Sequence, residues 1–228
     1  MAEKSKSFNF LVKAYKFFTR KYNEVKLDDE PAVYVSNHCK LGGPIYFQAY
    51  FPNPKKIWVI GDMCDKDACI EYMYDDFFRL KKPRWLYITL AKLIRRPFLY
   101  MTKNADAIPV YKDMRIASTL KNSIKALKNN ENIVIMPEHH VEYNHVVHEF
   151  QRNYIELARL YYKMTGKQLK FYPVYLAPKL RKVVIGEPIE FDPSNDIEDE
   201  KDKINYYLME EITKLYGTLK KHKVVLYD

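Results

Sequence analysis

Short runs of β-forming residues alternate with segments of helical period along most of this chain, and that alternation constrains its fold more than any other feature. Residues 31–36, 56–60, 107–111, 132–136, 170–176 and 182–185 read as strands bounded by turn residues. Ile116, Leu120, Ile124 and Leu127 recur at helical spacing until Asn129 and Asn130 break the pattern. Val147, Phe150, Tyr154, Leu157 and Tyr161 mark a second helix that Gly166 ends. Ile204, Leu208, Ile212 and Leu215 mark a third. Strands alternating with helices predict an α/β fold with a mostly parallel central sheet flanked by helices. The run at 107–111 belongs at a sheet edge, because Pro109 has no N–H to give to a ladder. At 228 residues and 47% hydrophobic, the chain supplies one good core. We expect one α/β domain over 28–228, preceded by an N-terminal amphipathic membrane-surface helix over 1–27.

The charge is unevenly placed. Lys and Arg number 38 against 29 Asp and Glu, a formal excess of +9, and 15% of residues are aromatic. Residues 1–27 hold seven basic side chains against Glu3 and Glu24, and residues 79–105 hold eight with no acid. Both segments are amphipathic. Phe8, Phe10, Leu11, Ala14, Tyr15, Phe17 and Phe18 cover one arc of the first, with Lys13, Lys16 and Arg20 opposite. In the second, Leu86, Leu90, Leu93 and Ile94 share a face, Lys92, Arg95 and Arg96 cluster on another, and Trp85, Phe98 and Tyr100 flank them. Rings beside cations are the composition of an element lying on anionic lipid. A docking face on the protein's own core is the competing reading. Nucleic acid ranks below both, since no zinc-finger, helix-turn-helix or RNA-recognition signature is present. No run reaches the ~18 apolar residues that span a bilayer. Three cysteines, Cys39, Cys64 and Cys69, are an odd number at no metal-ligand spacing, which fits a reducing compartment. The expected location is cytoplasmic, peripheral on the inner face of the membrane.

In parallel sheets, functional groups gather beyond the carboxyl ends of strands. Two such ends carry chemistry here: residues 36–40, with Asn37 and His38, and residues 137–140, with Glu138, His139 and His140. A histidine that opens a helix after a strand can serve as general base on a hydroxyl. His139, His140, His145 and His148 lie close together, and a helix would put His145 and His148 on one face at i, i+3. That raises a metal-assisted hydrolase as a separate enzyme class, although the spacing matches no zinc signature. Cys39 beside His38 raises a thiol nucleophile.

Asn37-His38 followed by Gly42-Gly43-Pro44, the runs 107–112, 135–138 and 172–174, and Gly186-Glu187-Pro188-Ile189 occur in order at fitting intervals. Over residues 30 to 215 this resembles the glycerolipid acyltransferase family, whose lysophosphatidate acyltransferases esterify a lysophospholipid hydroxyl. The resemblance implies an α/β domain beside a membrane-surface helix. It implies acyl-CoA or acyl-carrier protein as co-substrate with no cofactor, a lysolipid-like acceptor, and His38 as the base. The sequence departs from the family pattern at three places. Gly43 stands where the first motif has the Asp that orients the base, Lys112 stands for an Arg, and His139-His140-Val141 replaces the Gly-Thr-Arg that follows Glu138. In the active reading Glu138 or a neighbouring histidine takes over the orienting role. Asn37, Lys112, His139, His140 and Arg152 are then the candidate substrate-binding residues. In the alternative reading the fold persists as a catalytically inactive module that binds membrane or a partner.

Overall fold

The structure is a computed structural model and describes residues 6–226 apart from 20, 41, 79, 106 and 112. Its centre is a seven-stranded sheet in the order β3 (Ala107–Val110), β2 (Lys55–Ile60), β4 (Asn132–Ile135), β1 (Val33–Ser36), β7 (Lys170–Ala177), β8 (Lys182–Ile185), with β9 (Ile189–Glu190) also pairing β7. β1, β2, β3, β4 and β7 run parallel; β8 and β9 are antiparallel to β7. The mostly parallel sheet expected from the alternation is therefore present. β3 sits at the edge, where Pro109 withdraws nothing from an outer neighbour. Pro173 lies mid-strand in β7 but falls between the stretches paired by β8 and β9, so its missing N–H interrupts neither.

Side chains alternate between two packed faces, as the period of a strand requires. Val33, Val35, Ile133, Ile135, Phe171 and Tyr175 face one layer, where α5 (Ile116–Lys128), α6 (Glu156–Thr165) and α7 (Ile197–Gly217) contribute Leu127, Leu157 and Ile212. Tyr34, Val134, Tyr172 and Val174 face the other, where α2 (Gly42–Ala49) contributes Tyr46 and Phe47. α5 ends where Asn130 turns left-handed at φ 59°, and α6 ends at Gly166 with φ 71°.

Two expectations change. The helical appendage is shorter than 1–27: α1 spans Lys6–Phe18, and Tyr22, Val25 and Leu27 pack against the sheet in extended chain. Arg20 lies outside the described residues. The helix read from Val147 onward starts later, as α6. The residues before it form an antiparallel hairpin of β5 (Glu138–Glu142) and β6 (His148–Phe150). Asn144 makes the turn, its Oδ1 accepting from the amides of Val146 at 2.8 Å and Val147 at 3.1 Å.

α4 (Arg84–Asn104) is unusual among these helices. It follows the short α3 (Ala68–Tyr72), runs for 21 residues and buries only Ala91. Trp85 is 70% exposed and Leu93 72%; on α1, Phe17 is 84% and Phe18 83% exposed. The two helices touch, Ser7 Oγ lying 2.5 Å from Tyr100 Oη. In neither segment does the apolar arc serve mainly as a core face.

Candidate functional site

Sheet register brings the two loaded strand ends together. β1 pairs β4 as Val33↔Ile133 and Val35↔Ile135, so a continuation past both strands sets His38 level with Glu138. The chain makes that contact through its backbone. Glu138 is buried, one carboxylate oxygen accepting from the His38 amide at 2.6 Å and the other from the His148 amide at 2.9 Å. A carboxylate accepting from backbone amides forms strong, charge-assisted bonds. Glu138 thus holds the catalytic-candidate loop to the hairpin by its main chain.

Asn37 fixes the loop's other side. Its amide pairs with Leu176 on β7 as a strand residue would, accepting from Leu176 N at 2.8 Å and donating to Leu176 O at 3.1 Å. Wholly buried, Asn37 is a positioning residue rather than the substrate contact expected of it. Cys39 and Lys40 follow with φ of 52° and 54°, a left-handed pair that costs of order 1 kcal/mol for each non-glycine residue. Gly42 N then donates to Cys39 O at 2.9 Å and α2 begins. The Cys39 thiol is buried beside the Leu176 carbonyl, and desolvation, with Glu138 nearby, pushes its pKa far up. A thiol so held supplies no thiolate, which removes the nucleophile reading.

The His38 imidazole is half-buried. Burial pushes its pKa down to about 4, a hydrogen bond with the Lys40 backbone opposing the shift. The ring is therefore neutral at pH 7 and able to accept a proton.

Gly43 explains why no aspartate stands in the first motif. A Cβ there would lie 2.1 Å from the His38 carbonyl oxygen and 3.0 Å from Met136 Sδ. The first turn of α2 is packed onto the His38 backbone, leaving no room for any side chain.

The other sequence candidates separate. Lys112 lies outside the described residues. Arg152 is engaged by two carboxylates of α7, Glu198 at 3.2 Å and Asp202, so its charge is already matched and the acceptor role expected of it does not follow. His139 and His140 lie on β5, not in an open loop; His139 Nε2 is 3.4 Å from Glu149 and His140 is exposed. His148 is buried on β6 with Nδ1 3.0 Å from His139 O, while exposed His145 sits against Tyr216. The two share no helix face, because the hairpin replaces the helix. Among the described residues no three His, Cys, Asp or Glu side chains converge as a metal-holding group. Sequence reasoning missed His148 as the second main chain tied by Glu138; the Asn144 turn was the available signal. It also missed His222, whose Nε2 lies 2.8 Å from Tyr175 Oη at the end of β7.

No protein-family model matches the chain, and no curated protein does. Among solved structures it is similar to the crystal structure of the 1-acyl-sn-glycerophosphate (LPA) acyltransferase, PlsC, from Thermotoga maritima. The identity is 18%, over 97% of this chain and 86% of that one, at a TM-score of 0.49.

Proposed function

We propose that the protein is an acyltransferase that moves a fatty acyl group from acyl-CoA or acyl-carrier protein to a hydroxyl of a lysolipid-like acceptor at a membrane surface. The observation that carries this reading is a neutral, half-buried His38 at the carboxyl end of the central strand β1, on a loop clamped by Glu138 and Asn37. The ordered motifs of the sequence supply the reaction class. In the proposed step His38 takes the proton of the acceptor hydroxyl as that oxygen attacks the thioester carbonyl. The collapse of the tetrahedral intermediate then expels the thiolate, which takes up the proton. Rigid attachment of the loop replaces the lost aspartate as the means of aiming the ring, since a base needs orientation before basicity. A base of pKa about 4 is available at neutral pH but draws protons weakly, which favours a slow enzyme over a fast one.

The membrane part of the proposal rests on α1 and α4. Each helix carries exposed rings together with cations, Lys13 and Lys16 on α1 and Lys92, Arg95 and Arg96 on α4, a composition that suits an anionic bilayer. No helix among the described residues is long and apolar enough to cross a membrane.

A second reading, a catalytically inactive membrane- or partner-binding relative, is favoured by Gly43, because the packing there forbids the side chain that would orient the base. Acyl transfer from labelled palmitoyl-CoA and palmitoyl-carrier protein, assayed on a panel of lysophospholipids and neutral alcohols, separates the two. Product on at least one acceptor supports the enzyme; none on any acceptor, with vesicle binding intact, leaves the inactive reading.

A further inference from the structure

Donor and lysophospholipid acceptor in that reaction both carry phosphate, yet Arg152 is bound to α7 and Val141 stands where the third motif has its Arg. Three segments next to His38 supply cations instead. Pro178, in the turn between β7 and β8, lies 3.7 Å from where a Gly42 Cβ would stand, so that turn abuts the His38 loop. Cys39 Sγ reaches Leu176 O at 3.4 Å. The C-terminal segment crosses the same strand end, His222 meeting Tyr175 Oη. These segments carry Lys40, Lys179, Arg181, Lys182, Lys221 and Lys223. All but half-buried Arg181, which lies over the Tyr22 ring, are exposed.

These cations differ from those of α7 and of the amino end of the strands. On α7, Lys201, Lys203 and Lys214 each pair with a glutamate one turn away. At the amino end of the strands Lys56 and Lys170 lie near Glu131 and Asp28, beside a hollow lined by Asp28, Asp29 and Glu30. Among the described residues none of the six at the carboxyl end is ion-paired with a carboxylate. Acids thus line a hollow at the amino end of the strands, whereas the rim around His38 is basic.

We infer that this basic rim, with Lys40 and Lys179 on the two loops that abut at Gly42, seats a phosphate group of the substrate. The substrate identity rests on the acyltransferase reading; the anion site rests on its own geometry. Lysine suits the task as a compact point charge that meets phosphate without a fixed fork. The phosphate belongs either to the acceptor headgroup or to the nucleotide part of the donor, and substrate pairs distinguish them.

The test uses the full chain with Lys40→Asn and Lys179→Ala, singly and together; asparagine tolerates the left-handed backbone at 40. Kinetics compare lysophosphatidate with monoacylglycerol, and palmitoyl-CoA with palmitoyl-N-acetylcysteamine. The expected result is a KM raised about tenfold in the double variant for the phosphate-bearing member of one pair, kcat within about twofold, and no change for its phosphate-free partner. Lys40→Arg with Lys179→Arg restores KM, and the effect shrinks as salt rises. Calorimetric binding of inorganic pyrophosphate is the arm independent of turnover: wild-type protein binds it and the double variant does not. Equal changes on phosphate-bearing and phosphate-free substrates overturn the inference, as does pyrophosphate binding that is absent from wild type or unchanged in the variant. If no acyl transfer is found but pyrophosphate binding depends on both lysines, the anion site stands and the acyltransferase reading falls.

Discussion

Gly43 and His38 define the residue scale, because each limits what the other can be. A methyl group at 43 meets a main-chain oxygen, which cannot swing aside as the end of a flexible side chain would. Gly43→Ala is therefore expected to destabilise the fold by about 3 kcal/mol, the upper range for overpacking, as read by urea unfolding. Gly43→Asp is expected to lower acyl transfer rather than rescue it. Wild-type stability in the alanine variant would show that the first turn of α2 yields. His38 carries a pH signature of its own. Burial lowers its folded-state pKa to about 4, below the ordinary 6.5, so on acidification the unfolded chain takes up this proton first. The stability tied to the neutral ring is present above pH 6.5 and lost as pH falls toward about 4. Acyl transfer by a His38 base is expected to lose its acid limb near pH 4 rather than near 6.5, measured as kcat/KM against pH on a water-soluble acceptor. A limb near 6.5 would place the titrating base elsewhere.

At the scale of elements, what the sequence disclosed and what it hid follow from packing. Strands β1, β4 and β7 were legible because they are buried on both faces and read as continuous apolar runs. The β5–β6 hairpin was not. Val147, Phe150 and Tyr154 are all buried and fall at helical spacing, yet the first two belong to the hairpin. A period alone does not separate a short buried strand from the start of a helix. In the site, the sequence pointed to His38 and Glu138, but only register reveals that the carboxylate meets the His38 and His148 amides. α4 reads as amphipathic in sequence, and the fold buries only Ala91 of it. Replacing Trp85 and Leu93 together by Glu is expected to abolish sedimentation with vesicles containing phosphatidylglycerol while shifting Tm by less than about 2 °C, since neither side chain is packed. Unchanged sedimentation would assign lipid contact to α1 alone.

For the whole molecule, the arrangement of charge matches the arrangement of chemistry. Basic residues gather on α1 and α4, where rings face solvent, and around the carboxyl end of the sheet, where His38 sits. Acids pair along α7, line a hollow at the opposite end of the strands, and at the carboxyl end follow β2 and β3, away from the His38 rim. Such separation steers anionic molecules toward one end and away from the other. The account depends on that end being reactive as well as attractive. The most direct measurement is turnover of palmitoyl-CoA with the best acceptor by wild-type protein and by His38→Ala of equal Tm and equal vesicle binding. Loss of a positioned general base is expected to lower kcat by about 10²–10⁴ while leaving vesicle binding unchanged. Equal turnover by the two proteins would contradict the assignment of His38 as the base.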